Sequence, residues 1–193
     1  MALSNNHHLL SGEITAKGSV ITKDLLKFLK GRFALEWNGM HGVKHWSRVR
    51  RNGMAIARES GANSAVVELF AFLHDCCRTH DGTDNGHGWR AARLVEQLQG
   101  KVFLLSAPML RQLIDACEGH THEQTHCDLT IATCWDADRL DLGRVGIRPD
   151  PERLSTEAAK RMAIEFEIQD CSLPQMVGKE KYDIPEFLRK CRD

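Results

Sequence analysis

The apolar run Val66, Val67, Leu69, Phe70, Phe72 and Leu73 ends abruptly in the adjacent pair His74 and Asp75. Burying an imidazole and a carboxylate at the mouth of a core helix costs on the order of several kcal/mol when they have no partners. Metal coordination is the usual compensation. Neutral imidazole nitrogens and carboxylate oxygens suit Mn, Fe, Zn, Co or Ni, and a histidine-rich set argues against Mg or Ca alone. His45 upstream and an acid from the stretch Asp-Ala-Asp-Arg-Leu-Asp at 136–141 would complete the set. That makes two nitrogens and two oxygens from three helices, with positions left for water. Asp136 and Asp138 lie two residues apart, about 200° around a helix, so only one of them can face such a site.

Three segments together resemble the ordered motif set of the HD superfamily of metal-dependent phosphohydrolases: His-Gly-x-x-His-Trp at 41–46, Leu-His-Asp at 73–75 and Asp-Ala-Asp-Arg-Leu-Asp at 136–141. The likeness runs over about residues 40–145. It implies an all-α fold, a single compact helical bundle of about six to eight helices. It also implies an active-site metal held by His45, His74, Asp75 and Asp138, the last chosen by the family's Ala-Asp-x-Leu ending. Members with two metals carry a further His after the doublet and another beyond it, and His87 in Gly-His-Gly and His120 in Gly-His-Thr are the counterparts here. One or two divalent transition metals per chain are therefore expected.

The activity implied is hydrolysis of a phosphate ester of a nucleotide or another small phosphorylated metabolite by a metal-activated water, with Asp75 bridging metals or orienting that water. The nucleotidase branch of the family often has a Glu three residues after the doublet, where this chain has Arg78, so its specificity does not transfer. Arg78, Arg48, Arg139 and Arg144 are candidate phosphate clamps. Two other readings stand beside this one: a catalytically silent, metal-containing ligand-binding or regulatory module, and an oxygen-using di-iron HD enzyme acting on a diol.

The elements that must position these residues are legible as helices. Thr22 caps a segment with Leu25, Leu26 and Leu29 at helical spacing; Gly39 and Gly42 interrupt the pattern before an amphipathic stretch over 43–59 that carries His45. Asn63 or Ser64 caps the apolar helix ending in His74. The segment 79–86, Thr-His-Asp-Gly-Thr-Asp-Asn-Gly, is dense in turn formers. Helices are expected from about His87 to Gly100, from Ser106 with Pro108 just inside to Gly119, and from Asp128 to Gly143 or Gly146. A stiff turn at Arg148-Pro149-Asp150-Pro151 precedes an amphipathic helix over Ser155–Gln169, and Asp183-Ile-Pro-Glu186 resembles a capping box for a short closing helix.

At 193 residues one domain is expected, with a flexible segment at 1–20 and the HD-type domain over 21–193. The formal net charge is zero, which disfavours nucleic acid or an anionic membrane as partner, and no run of about 18 apolar residues occurs. The reading is a cytoplasmic protein acting on a small phosphorylated substrate, with oligomers possible. Seven irregularly spaced cysteines fit reduced core thiols. Histidines 41, 80, 122 and 126 read as packing or surface residues, Trp46, Trp89 and Trp135 as core, and Asp81 and Asp84 as turn residues with a lesser prospect of acid catalysis. Cys117, His120, His122, His126 and Cys127 superficially suggest a zinc knot but lack two well-spaced pairs.

Overall fold

A computed structural model describes residues 19–172, and over them the chain is all-α. The seven helices among the described residues are α1 (Lys23–Arg32), α2 (Val43–Ser60), α3 (Ser64–Leu73), α4 (His87–Leu98), α5 (Ala107–Gly119), α6 (Leu129–Arg139) and α7 (Glu157–Ser172), with 3-10 turns at Leu142–Val145 and Pro151–Arg153. No helix among the described residues is long and apolar enough to cross a membrane. The expected closing helix near 183–186 lies outside the described residues.

Helix starts follow local chemistry. Thr22 Oγ1 accepts from Leu25 N at 3.1 Å, Asn63 Oδ1 from Ala65 N and Val66 N at 3.1 and 3.2 Å, and Asp128 Oδ1 from Thr130 N and Ile131 N at 2.8 and 3.1 Å. Each satisfies backbone donors that the first turn leaves open. Gly61, at φ 79°, ends α2 in the left-handed conformation that a side chain would strain.

The core is built around α3, whose residues from Val66 to Leu73 are all buried. It packs against α2, α5 and α6, and α4 lies on α5. Each fully buried Leu or Phe here contributes roughly 1.5–3 kcal/mol relative to exposure. The one acid in the run, Glu68, is compensated: its carboxylate accepts from Ser19 Oγ and Val20 N, both at 2.8 Å, and from Arg50 Nε at 2.6 Å. Ser19 and Val20 are thereby tied to the core helix.

Two glycines permit close helix approach. A Cβ on Gly53 of α2 would stand 2.5 Å from Val67 Cγ1, and one on Gly88 of α4 would stand 2.5 Å from the Cys117 carbonyl oxygen. The first lets α2 settle on α3; the second brings the start of α4 onto the end of α5, and with it His87 opposite His120. Trp46 and Trp135 are core residues, the latter donating from Nε1 to the Ala116 carbonyl at 2.9 Å. Trp89 is not: it is 52% exposed. The inward stripe of α4 is filled by Ala91, Leu94, Val95 and Leu98, which leaves Trp89 and Arg93 on the outer face with the guanidinium 5.4 Å from the indole centroid.

Candidate metal centre

Five helix ends converge on one buried volume. His45 comes from the first turn of α2, His74 and Asp75 from the end of α3, His87 from the start of α4, His120 from the end of α5, and Asp138 from the last turn of α6. Their donor atoms form two groups, His45, His74 and Asp138, and Asp75, His87 and His120, each with its ligand atoms within 4.8 Å of one another. The ring centroids of His74 and His120 are 5.2 Å apart, so the groups adjoin.

The imidazoles are oriented by what their Nδ1 atoms touch. His74 Nδ1 lies 3.1 Å from the Phe70 carbonyl, His120 Nδ1 2.7 Å from the Cys117 carbonyl, and His87 Nδ1 2.5 Å from the Asp84 carbonyl. A carbonyl oxygen only accepts, so Nδ1 carries the hydrogen in each and a neutral ring presents a bare lone pair at Nε2. His45 Nδ1 donates likewise to Asp141 Oδ2 at 2.7 Å.

The Nε2 atoms then face each other in pairs, His45 to His74 at 3.0 Å and His87 to His120 at 2.9 Å. Two lone pairs at that separation repel unless a proton or a metal ion lies between them, and neighbouring carboxylates raise the proton affinity of His45 and His120 despite their burial. Metal–nitrogen bonds of about 2.1 Å at right angles put nitrogens roughly 3.0 Å apart, so the spacing fits a shared divalent ion in each group. Burial pushes the His74 imidazolium down to about 3, so the ring is in its ligating, neutral form at neutral pH.

Asp75 joins the groups through its two oxygens. Oδ2 is 3.4 Å from His45 Nε2 and 3.7 Å from His74 Nε2, and Oδ1 is 3.1 Å from His87 Nε2 and 3.7 Å from His120 Nε2. Although burial opposes ionisation, the surrounding imidazoles hold its carboxyl well below the usual carboxylate range. Asp138 Oδ1 completes the first group at 3.4 Å from His45 Nε2 and 3.7 Å from His74 Nε2. With 20% of its side chain exposed against 4% for Asp75, Asp138 marks the solvent side of the site.

Asp136 points the other way, as the helical angle requires. Its carboxylate accepts from Ser155 N, from Thr156 N at 2.7 Å and from Thr156 Oγ1 at 2.7 Å, tying α6 to the start of α7. Asp141, to which no role was assigned from sequence, sits three residues beyond Asp138 on the same side of the chain. Besides fixing His45 it accepts two bonds from Arg48, Nε at 2.5 Å and Nη2 at 3.0 Å. The i, i+3 spacing of the two acids was the available signal for it.

The arginines divide. Arg78 stands beside the second group, Nη1 3.3 Å from His87 Nε2 and 3.5 Å from Asp75 Oδ1. Arg48 is committed to Asp141, and Arg144 Nη1 donates to the Asp141 carbonyl at 3.2 Å. Arg139 does not join the site: about 100° around α6 from Asp138, its guanidinium donates to the Glu123, Gln124 and Arg153 carbonyls and lies over Trp135. In the loop after the doublet, Asp84 accepts from Thr79 N at 2.9 Å, Thr79 Oγ1 at 3.0 Å and Arg90 Nη2 at 2.6 Å, and Asp81 accepts from the buried His41 Nδ1 at 2.7 Å. His122 and His126 stay outside both groups.

No protein-family model and no curated protein matches the sequence. Among solved structures, the chain is similar to a predicted HD superfamily hydrolase from an uncultured Thermotogales bacterium, at 24% identity and a TM-score of 0.61, over 77% of this chain and 88% of that one. The helical framework and the convergence of His45, His74-Asp75 and Asp138 point the same way, and the chain has the HD-domain fold.

Proposed function

We propose that the protein is a metal-dependent phosphohydrolase acting on a small phosphorylated metabolite, a nucleotide among the candidates. The observation that carries the reading is Asp75: one buried carboxylate with an oxygen in each of two histidine groups whose Nε2 atoms face each other at 3.0 and 2.9 Å. Divalent cations at these positions would supply charge to stabilise phosphoryl oxygens and would acidify a bound water to near neutrality. His45, His74, His87 and His120 hold their lone pairs inward, and the Nδ1 bonds remove the freedom of the rings to turn away. Asp75 lies on the line between the groups, where it orients the water, and Asp138 borders the solvent side from which an ester approaches. Arg78, whose buried Nε–H has no partner, is the candidate donor to a phosphoryl oxygen. Hydrolysis then bonds the water oxygen to phosphorus as the ester P–O bond breaks, and the alcohol leaves with a proton.

The test is turnover of phosphomonoester and phosphodiester panels by purified protein loaded in turn with Mn, Fe, Co, Ni and Zn. Phosphate release that disappears in Asp75→Ala supports the proposal. Inactivity across metals and panels, or activity that survives Asp75→Ala, goes against it and favours a binding module.

A further inference from the structure

Resting on the reading that both groups hold cations, we infer that Arg78 makes them unequal: its guanidinium occupies part of the coordination space of the Asp75, His87 and His120 group, so that this group takes a divalent ion far more weakly than the His45, His74 and Asp138 group. The contacts are one-sided. Arg78 Nη1 lies 3.3 Å from His87 Nε2, 3.5 Å from His87 Nδ1 and 3.5 Å from Asp75 Oδ1. The same Nε2 and Oδ1 atoms are the ones a cation in the second group must use, whereas Arg78 has no comparable contact with His45, His74 or Asp138. Asp75 Oδ1 and His87 Nε2 are thus already in the field of one fixed positive charge, while Asp75 Oδ2 and Asp138 Oδ1 offer the first group two carboxylate oxygens.

The guanidinium is held in place. Its Nη2 donates to the Gly82 carbonyl at 2.8 Å, and the loop carrying Gly82 is braced by the bonds of Asp84 to Thr79 and Arg90. Only 11% of the Arg78 side chain is exposed. A cation entering the second group must therefore meet a like charge at near contact or displace the arginine from a bonded position, and either lowers its affinity. The first ion is expected to bind at least ~100-fold more tightly than the second.

Calorimetric titration of the metal-stripped full chain with Mn²⁺ tests this, with Arg78→Gln, Arg78→Lys and His120→Ala beside wild type and each fold checked by far-UV circular dichroism. Expected are two separated events in wild type, a gap at least ~10-fold narrower in Arg78→Gln through a tighter second event, a gap largely retained in Arg78→Lys, and loss of the weak event alone in His120→Ala. Equal affinities in wild type, or a gap unchanged by Arg78→Gln, overturn the inference and leave the proposed function standing. Absence of any Mn²⁺ binding overturns both.

Discussion

Two acids separated by one alanine carry opposite duties, and exchanging each for alanine separates folding from ligation. Asp136 is fully buried and accepts from Ser155 N at 2.9 Å, Thr156 N at 2.7 Å and Thr156 Oγ1 at 2.7 Å. Asp136→Ala leaves three donors without an acceptor, at about 1–3 kcal/mol for each that stays dry. Because Ser155 lies closer to solvent than Thr156, a total of roughly 3–4 kcal/mol is expected. For a chain of this length each kcal/mol moves the melting temperature by about 2–4 °C, so the loss is on the order of 10 °C. Asp138 instead faces the His45 and His74 nitrogens. Its removal costs the metal-free fold within about 1 kcal/mol, as for a partly exposed site without a structural bond. Metal affinity, in contrast, falls by more than the ~10–100-fold typical of losing an outer-shell partner. Circular dichroism melts in chelator and a Co²⁺ titration read both quantities on the same preparations. An Asp138→Ala variant that melts as early as Asp136→Ala, or an Asp136→Ala variant that folds but no longer binds the metal, would contradict this division of duties.

Two more perturbations address the supports of the site. Asp141→Asn keeps the shape beside His45 but removes the charge that fixes its Nδ1–H, and metal affinity should drop ~10–100-fold without abolishing binding; an unchanged affinity in competition with a chromogenic chelator would show that His45 needs no such orientation. The Arg90 guanidinium at 2.6 Å, with the Thr79 bonds, holds the Asp84 carboxyl well below the usual carboxylate range. A depressed folded-state pKa stabilises fully above the unfolded value of about 3.9 and fades as pH falls below it. Wild type should therefore lose more melting temperature than Asp84→Asn between pH 5 and pH 3, and parallel curves would contradict that role.

Much of this was legible in residue types. Caps such as Thr22 and Asp128 announce themselves because only short polar side chains reach the open N–H groups, and the apolar run of α3, interrupted by Glu68, predicts burial on nearly all sides. The resemblance to HD phosphohydrolases singles out His45, His74-Asp75 and Asp138, three of which form the first group, and helical geometry predicts the divergence of Asp136 from Asp138. The acceptors that orient His74, His87 and His120 are backbone carbonyls of Phe70, Asp84 and Cys117. A carbonyl has no residue type, so nothing in the sequence points to it. Arg139 and Trp89 were misplaced for a related reason: a side chain's neighbours across helix boundaries depend on crossing geometry, which periodicity along one helix does not encode. Asp141 was within reach of sequence reasoning through its spacing from Asp138, but its partner His45 lies 96 residues away.

In the proposed enzyme, imidazole nitrogens and carboxylate oxygens from separate helices surround a divalent ion. Anomalous scattering from crystals grown with Mn²⁺ places that ion directly. A peak about 2.1 Å from His45 Nε2, His74 Nε2 and Asp138 Oδ1 is the predicted result; a well-ordered crystal with no peak between these atoms, or with manganese only elsewhere on the molecule, contradicts it.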